Sequence, residues 1–169
     1  VKEVDSTDPK AILQALHQMV QRVLNQHTIQ SRSDDGLDIG ICHVDRDQNT
    51  IHFAGARIDL YYTLGGELLF LKGDKQSIGY KSSDITYDYT SHVIPLETDM
   101  RFYMTTDGLL DQGGGPKGFP FGKRRFREFL MAHQGETLEE QKEALKRTTG
   151  EYRGNEEQRD DVTVMGFMV

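Results

Sequence analysis

The hydrophobic residues near the start of the chain recur at intervals of three and four positions, which is the spacing of an amphipathic helix. This spacing predicts a helix within residues 5–26. Asp8 is placed to cap its first turn, and Pro9 suits the first helical position. The predicted apolar stripe consists of Ile12, Leu16, Met19, Val20 and Val23. His17 and His27 are ten residues apart and are not expected to bind a metal together.

From Leu37 onward the hydrophobic period shortens to two, which predicts strands separated by turns. The predicted strands cover residues 37–44, 50–56, 59–64, 67–73, 85–94 and 100–106. Helical spacing returns in residues 123–133 and 137–150, and the last ten residues form a closing strand. The apolar face of the first of these helices consists of Phe126, Phe129 and Leu130. This order of elements predicts an α+β fold with a largely antiparallel sheet.

Composition and charge narrow the classes of function. The 169 residues include 27 acidic and 20 basic side chains, and this excess of acids disfavours a nucleic-acid partner. No apolar stretch is long enough to span a bilayer. The one cysteine, Cys42, lies in a predicted strand, which favours a core position in a protein of the reducing cytoplasm. Because the chain begins with Val1, we expect it to be part of a larger protein.

Carboxylates stand where two of the predicted strands meet turns. Asp107 directly follows the strand 100–106, with Asp111 four residues later, and Asp160 and Asp161 directly precede the closing strand. If these strands are antiparallel neighbours, their spacing of about 4.8 Å would bring the acids within reach of one hard cation. The alternative is that Asp-Gly is a turn and that the paired acids solvate a loop.

Several other polar features allow two interpretations. The glycine-rich segment 113–118 could cover the acids as a mobile flap. A basic run could hold a phosphate or an acidic partner, although the solvated side of a helix is favoured; it consists of Lys123, Arg124, Arg125 and Arg127. Asp34 and Asp35 are better explained as a solvated loop. A structural role is expected for His43, His52 and His92.

Two motifs carry a resemblance to a known family. The segment TTDGLLDQ at 105–112, followed by RDDVTVMGF at 159–167, resembles the metal-dependent type 2C serine/threonine phosphatases of the PPM group. The likeness is stronger to their bacterial SpoIIE-like branch, which the segments LKGDKQSIGY and FGKRRFREFL also resemble in order. It runs from about Asp8 to the end of the chain. The resemblance implies an antiparallel β-sandwich flanked by helices, an αββα arrangement.

The resemblance also implies a metal site. Asp107 and Asp160 match acids that hold a pair of Mn²⁺ or Mg²⁺ ions, and Asp111 matches an acid that helps to bind a third, weaker ion. Asp161 and Gly108 are expected beside these ligands rather than among them. In such enzymes two divalent ions activate a water molecule that attacks the phosphoryl group, so no protein nucleophile is needed.

The chain departs from the family pattern in two places. It lacks the initial strand pair with a Gly-Asp motif, so we expect residues 1–169 to be a single domain without its first strands and helix. The metal site would then lack some of its ligands, and the isolated chain would have little phosphatase activity. Exposed sheet edges would favour a homodimer. Gly55 and Ala56 stand where a partner acid of Asp111 is expected, which makes a third ion doubtful.

The predicted function is a protein serine/threonine phosphatase domain of a bacterial signalling protein. By analogy with the family, its substrate is a phosphorylated anti-sigma-antagonist-like protein of a partner-switching circuit. The domain itself is expected to contact neither membrane nor nucleic acid, and its location is the cytoplasm or the cytoplasmic side of an inner-membrane protein. The alternatives are a catalytically inactive regulatory domain that binds such a partner and a calcium-binding or purely structural sandwich.

Overall fold

The computed structural model describes residues 7–24 and 34–169. The chain divides into two compact units, one of residues 1–60, 70–98 and 169 and the other of residues 61–69 and 99–168. The helices are α1 (Pro9–Val23), α2 (Asp107–Leu110), α3 (Gly122–Ala132) and α4 (Leu138–Arg153). The strands are β1 (Ile39–Asp45), β2 (Thr50–Ala56), β3 (Leu60–Leu64), β4 (Glu67–Leu71), β5 (His92–Pro95), β6 (Arg101–Thr105), β7 (Gly113–Gly114), β8 (Phe119–Pro120) and β9 (Val164–Met168).

The first unit contains a three-stranded antiparallel sheet in the order β1-β2-β5. Its register pairs Cys42 with Phe53 and Ile51 with Ile94. Helix α1 contributes to one core cluster of this unit, whose buried members are Leu13, Ala54, Ala56, Ile78 and Tyr89. The predicted strands 37–44 and 50–56 are therefore confirmed to within a few residues.

Helix α1 begins as predicted but buries a different face. Asp8 accepts a hydrogen bond from the backbone N–H of Lys10 at 3.1 Å, and Pro9 opens the helix. The buried side chains are Pro9, Leu13, His17 and Gln21. Met19 and Val23 are 52% and 67% exposed, so the prediction that they face the core is wrong. The ends of the predicted helix, and His27, lie outside the described residues.

Two polar side chains of α1 are buried because they bind backbone groups of the loop 79–84. The backbone N–H of Gly79 donates to His17 Nδ1 at 3.0 Å, and His17 Nε2 lies 3.0 Å from the carbonyl oxygen of Asp84. The ring therefore carries its proton on Nε2. Gln21 donates to the carbonyl oxygens of Tyr80 and Ser83 at 2.8 and 3.1 Å. These bonds give the two buried polar side chains partners among the backbone groups of the loop.

Replacing His17 by leucine should lower the free energy of unfolding by about 1–3 kcal/mol, because the Gly79 N–H would lose the acceptor that His17 Nδ1 provides and the Asp84 carbonyl oxygen would lose one of its two donors. Urea denaturation would measure the difference. Gln18→Leu is the matched control, since Gln18 lies on the exposed side of the same helix. Equal stability of the two variants would contradict this role for His17.

The segment 85–94 is not the continuous strand that its alternating pattern predicts, since only His92–Pro95 forms a strand. Asp84 Oδ1 accepts the backbone N–H and the hydroxyl of Thr86 at 2.9 and 2.7 Å, which also lowers the pKa of Asp84. Asp74 accepts the backbone N–H of Thr90 at 2.7 Å and the hydroxyl of Tyr87 at 3.2 Å. Carboxylates thus replace the strand partners that the segment would need.

The cysteine and the strand histidines of the first unit have structural surroundings. Burial raises the pKa of Cys42 to about 12, so its thiol stays protonated and unreactive near neutral pH. The rings of His43 and His52 lie 5.9 Å apart across the β1–β2 pair. His92 stacks on Phe53 with ring centroids 6.2 Å apart.

The second unit contains an antiparallel sheet in the order β4-β3-β6-β9. Helix α3 packs into its core through the predicted residues Phe126, Phe129 and Leu130. Helix α4 starts with a capping box in which Thr137 and Glu140 bind each other's backbone N–H groups. These contacts agree with the predicted α+β order of elements.

Candidate metal centre

The candidate centre lies where strands β6 and β9 of the second unit run side by side. They are antiparallel neighbours, and Thr105 at the end of β6 pairs with Val164 at the start of β9. The pairing continues for one further residue, since the backbone N–H of Thr106 donates to the carbonyl oxygen of Thr163 at 3.0 Å. The predicted pairing of these two strands is therefore confirmed.

Threonine side chains extend this pairing beyond the strands. The backbone N–H of Thr163 donates to Thr106 Oγ1 at 3.1 Å, and the Thr105 hydroxyl donates to the carbonyl oxygen of Thr163 at 3.2 Å. The Thr106 hydroxyl is also 3.3 Å from the carbonyl oxygen of Asp161. Strand β9 begins three residues after Asp161, so these bonds are what hold the intervening segment against the end of β6.

Asp107 and Asp111 occupy the two ends of the short helix α2. Asp107 is its first residue, and the backbone N–H of Asp111 donates to the carbonyl oxygen of Asp107 at 2.7 Å. Both side chains are exposed. Asp107 therefore lies in the first turn of a helix and not in an isolated Asp-Gly turn.

Gly108 brings the two acid-bearing segments together. It is buried, and a Cβ added to it would overlap the carbonyl oxygen of Asp161 and lie 2.9 Å from the carbonyl carbon of that residue. The same Cβ would lie 3.4 Å from the carbonyl carbon of Asp160. The absence of a side chain at Gly108 thus allows the peptide after Asp160 to approach the residue after Asp107.

The local electrostatics are dominated by carboxylates. Asp160 Oδ1 accepts the backbone N–H of Asp161 at 2.7 Å. Within residues 7–24 and 34–169, no lysine, arginine or histidine forms an ion pair with Asp107, Asp111, Asp160 or Asp161. Exposed carboxylate oxygens without a basic partner are the donors that Mg²⁺ and Mn²⁺ prefer. The donor chemistry therefore fits such ions.

The described residues nevertheless supply an incomplete ligand set. No group of three or more His, Cys, Asp or Glu side chains in this part of the chain is arranged to hold a metal ion. Gly55 and Ala56 are buried in β2 and offer no carboxylate. Asp34 and Asp35 are exposed, and Asp34 accepts the backbone N–H of Lys81 at 2.9 Å, as expected of a loop.

The glycine-rich segment 113–118 belongs to a hairpin rather than to an unconstrained flap. Strands β7 and β8 pair, and the backbone N–H of Gly115 donates to the carbonyl oxygen of Tyr152 at 2.7 Å. The Tyr152 hydroxyl donates to the carbonyl oxygen of Phe119 at 2.8 Å. A Cβ on Gly114 would overlap the Tyr152 backbone. The expectation of free glycines beside the acids is therefore wrong at the base of the hairpin.

Much of the basic run has structural partners. Arg124 pairs with Glu128 at 2.6 Å. Arg125 donates to the carbonyl oxygen of Phe121 at 3.0 Å and lies 4.7 Å from the ring centroid of Tyr152. These contacts support the interpretation as a helix surface rather than as a phosphate site.

Sequence reasoning missed the role of Gln112. Its side chain is buried and donates to the carbonyl oxygens of Gly113 and Glu157 at 3.0 and 3.1 Å. These bonds connect the end of α2 to the segment that leads into Asp160. A polar residue directly after Asp111 gave no signal of burial, because its partner is 45 positions away.

The sequence matches one family model, which is described as stage II sporulation protein E (SpoIIE), over residues 3–169. The chain belongs to the SpoIIE family. A comparison with curated protein sequences gave no match.

Solved structures of SpoIIE-like phosphatases have the same fold. The SiaA-PP2C domain of Pseudomonas aeruginosa is 40% identical, with a TM-score of 0.85, and the match covers 98% of this chain and 63% of that one. The structure of SpoIIE from Bacillus subtilis is 16% identical with a TM-score of 0.66, and the match covers 94% of this chain and 43% of that one. The structure of RsbX in complex with magnesium is 20% identical with a TM-score of 0.57, and the match covers 92% of this chain and 63% of that one.

The mixed helices and antiparallel sheets of the chain match the PP2C phosphatase fold, so the predicted fold and family are confirmed. The chain spans 63% of the SiaA-PP2C chain that it matches. No helix in the described ranges has the length and apolar character needed to cross a membrane.

Proposed function

We propose that residues 1–169 belong to one metal-dependent protein serine/threonine phosphatase domain. The observation that carries the proposal is the approach of the Asp107 and Asp160 segments at the paired ends of β6 and β9. Membership of the SpoIIE family and the likeness to the SiaA-PP2C domain support the same chemistry.

Asp107 and Asp160 would hold divalent ions, Mn²⁺ or Mg²⁺, and Asp111 would assist a weaker one. The magnesium complex of RsbX, a structure of the same fold, supports this choice of ion. Bound ions of this kind activate water and neutralise charge on phosphoryl oxygens. The role of Thr105 and Thr106 is to hold the Asp160 segment in place, and Gly108 admits it beside Asp107. Asp161 would lie beside the ligands through its backbone contact with Gly108.

The proposed substrate is a phosphoserine or phosphothreonine on a partner-switching regulator of the anti-sigma-antagonist type. The similarity to SpoIIE and to SiaA, two regulatory phosphatases, supports a protein substrate. A homodimer and a cytoplasmic location are part of the same proposal. An exposed centre is consistent with a protein substrate, because a folded partner must reach the acids.

A second candidate is a catalytically inactive domain that binds the same partner. It is favoured by one observation, namely that the described residues lack a group of three metal ligands. The two candidates predict the same surface and different chemistry, so turnover distinguishes them.

Metal removal tests the proposal. We expect Mn²⁺ to stimulate phosphate release from a phosphoserine peptide, and excess EDTA to abolish it, because the carboxylates alone cannot activate water. Phosphate release would be followed colorimetrically during a Mn²⁺ titration of the protein. Phosphate release that is unchanged by excess EDTA would contradict the proposal of a metal-dependent enzyme. Binding of the phosphopeptide without turnover would support the inactive alternative.

A further inference from the structure

The side chain of Arg159 lies on the backbone of Gly113. Arg159 Nη2 and Cζ are 3.7 and 3.9 Å from the position that a Cβ of Gly113 would take. Gly113 is buried and follows Asp111 by two residues, whereas Arg159 directly precedes Asp160. The guanidinium therefore connects the stretch that follows Asp111 with the stretch that leads into Asp160.

Within the part of the chain that the structure describes, this guanidinium has no polar partner, although several acids are its neighbours in the sequence. Glu156, Glu157, Asp160 and Asp161 lie within three residues of Arg159. Among the described residues, Arg159 makes neither an ion pair nor a hydrogen bond.

The backbone on both sides of the arginine is held in place. Gln112 Nε2 donates to the carbonyl oxygen of Glu157 at 3.1 Å, and Gln158 Nε2 donates to that of Asp160 at 2.9 Å. Arg153 in turn donates to Gln158 Oε1 at 3.2 Å. Arg159 is thus carried by an ordered segment that directs it across Gly113.

We propose that Arg159 binds the phosphoryl group of the substrate at this centre. A guanidinium presents two parallel N–H groups that match the oxygens of a phosphate, and it remains charged at every relevant pH. Its place beside the metal-ligand segments is where a phosphate dianion would arrive, and no basic residue of the described chain pairs with the acids there. The inference rests on the proposed phosphatase function for the identity of this anion.

Gly113 makes the arrangement possible. A methyl group at this position would lie 3.3 Å from the carbonyl oxygen of Gly118 and against the guanidinium. Gly113→Ala should therefore displace Arg159 without removing its charge, and weaken phosphate binding less than Arg159→Ala does.

The test compares wild type, Arg159→Ala, Arg159→Lys and the control Arg147→Ala, which removes an exposed arginine of α4. With Mn²⁺ present, we expect Arg159→Ala to raise the KM for p-nitrophenyl phosphate and the inhibition constant of inorganic phosphate by roughly 10-fold or more. The kcat should change less than the KM. Arg159→Lys should recover part of the lost phosphate binding, because lysine keeps the positive charge but lacks the two parallel N–H groups of the guanidinium. Arg147→Ala should resemble wild type.

Calorimetric titration with inorganic phosphate separates this inference from the proposed activity. If wild type binds phosphate but releases none from substrate, and Arg159→Ala abolishes that binding, the inference stands and the catalytic proposal falls. Unchanged KM, inhibition constant and phosphate affinity in Arg159→Ala would overturn the inference while leaving the phosphatase intact. Absence of phosphate binding by the wild type would also overturn it. If Arg159→Ala proved unfolded, equal phosphate affinity of Arg159→Lys, Gly113→Ala and wild type would decide against it.

Discussion

Replacing Asp107 by asparagine should reduce Mn²⁺-dependent phosphate release by about 100-fold or more, since changes around metal ligands alone cost roughly 10- to 100-fold. Asparagine keeps the size and the place of the side chain at the start of α2 but removes the negative charge that a divalent ion needs. Phosphate release from a phosphoserine peptide, measured across a Mn²⁺ titration, would show the loss. Asp160→Asn should act in the same direction.

The stability of Asp107→Asn is expected to remain close to that of the wild type in the absence of metal. Asp107 is exposed and is not part of an ion pair among the described residues, so its neutralisation removes repulsion rather than a contact. Asp47→Asn is the matched control, because Asp47 is an exposed carboxylate in the β1–β2 turn. Equal activity of Asp107→Asn and Asp47→Asn would remove Asp107 from the metal centre.

The strands around the centre could be predicted because their pattern is local. The apolar run before Asp107 and the one after Asp161 each have the period of a strand. The first run ends at an acid, and the second begins directly after one. That they pair with each other was a hypothesis about distant segments, and it is confirmed by the register Thr105–Val164. The acids at the strand ends thus pointed to two strands that do pair, and their role as metal ligands remains a prediction.

The parts that could not be predicted depend on bonds between a side chain and a distant backbone. His17 reaches Gly79 across 62 positions and shifts the face that α1 buries, so that a polar residue is buried while Met19 is exposed. Asp74 acts similarly on Thr90 and prevents a regular strand in residues 85–91. The spacing of hydrophobic residues contains no information about such partners. It therefore predicted the wrong buried positions in α1 and too long a strand at 85–94.

The candidate site shows the same limit at finer scale. Asp-Gly at 107–108 has the composition of a turn, yet Gly108 is required by the peptide of Asp161, which is more than fifty positions away. Gln112 and Arg159 likewise take their roles from segments far along the chain. Residue types at strand ends indicated which side chains could bind a metal, and tertiary packing decided which neighbours position them.

Replacing Gly108 by alanine should both destabilise the second unit and weaken its metal site. The new Cβ would overlap the carbonyl oxygen of Asp161, and its neighbours are backbone atoms that cannot rotate away. Overpacking of this kind costs about 1–3 kcal/mol, and the easiest relief is a shift of the Asp160–Asp161 segment away from α2. That shift would separate Asp160 from Asp107, so Mn²⁺ affinity should fall along with the melting temperature.

Gly150→Ala is the control that isolates this contact. Gly150 lies inside α4 with nothing within 4 Å of its added Cβ, so alanine should stabilise the protein by about 1 kcal/mol through helix propensity alone. The same chemical change should thus have opposite signs at the two positions, measured by thermal unfolding and by Mn²⁺ titration. If Gly108→Ala were as stable as the wild type and bound Mn²⁺ equally well, the close approach at Gly108 could not be what joins the two acids. The centre would then have to be built from Asp107 without Asp160, which would remove the observation on which the proposed phosphatase chemistry depends.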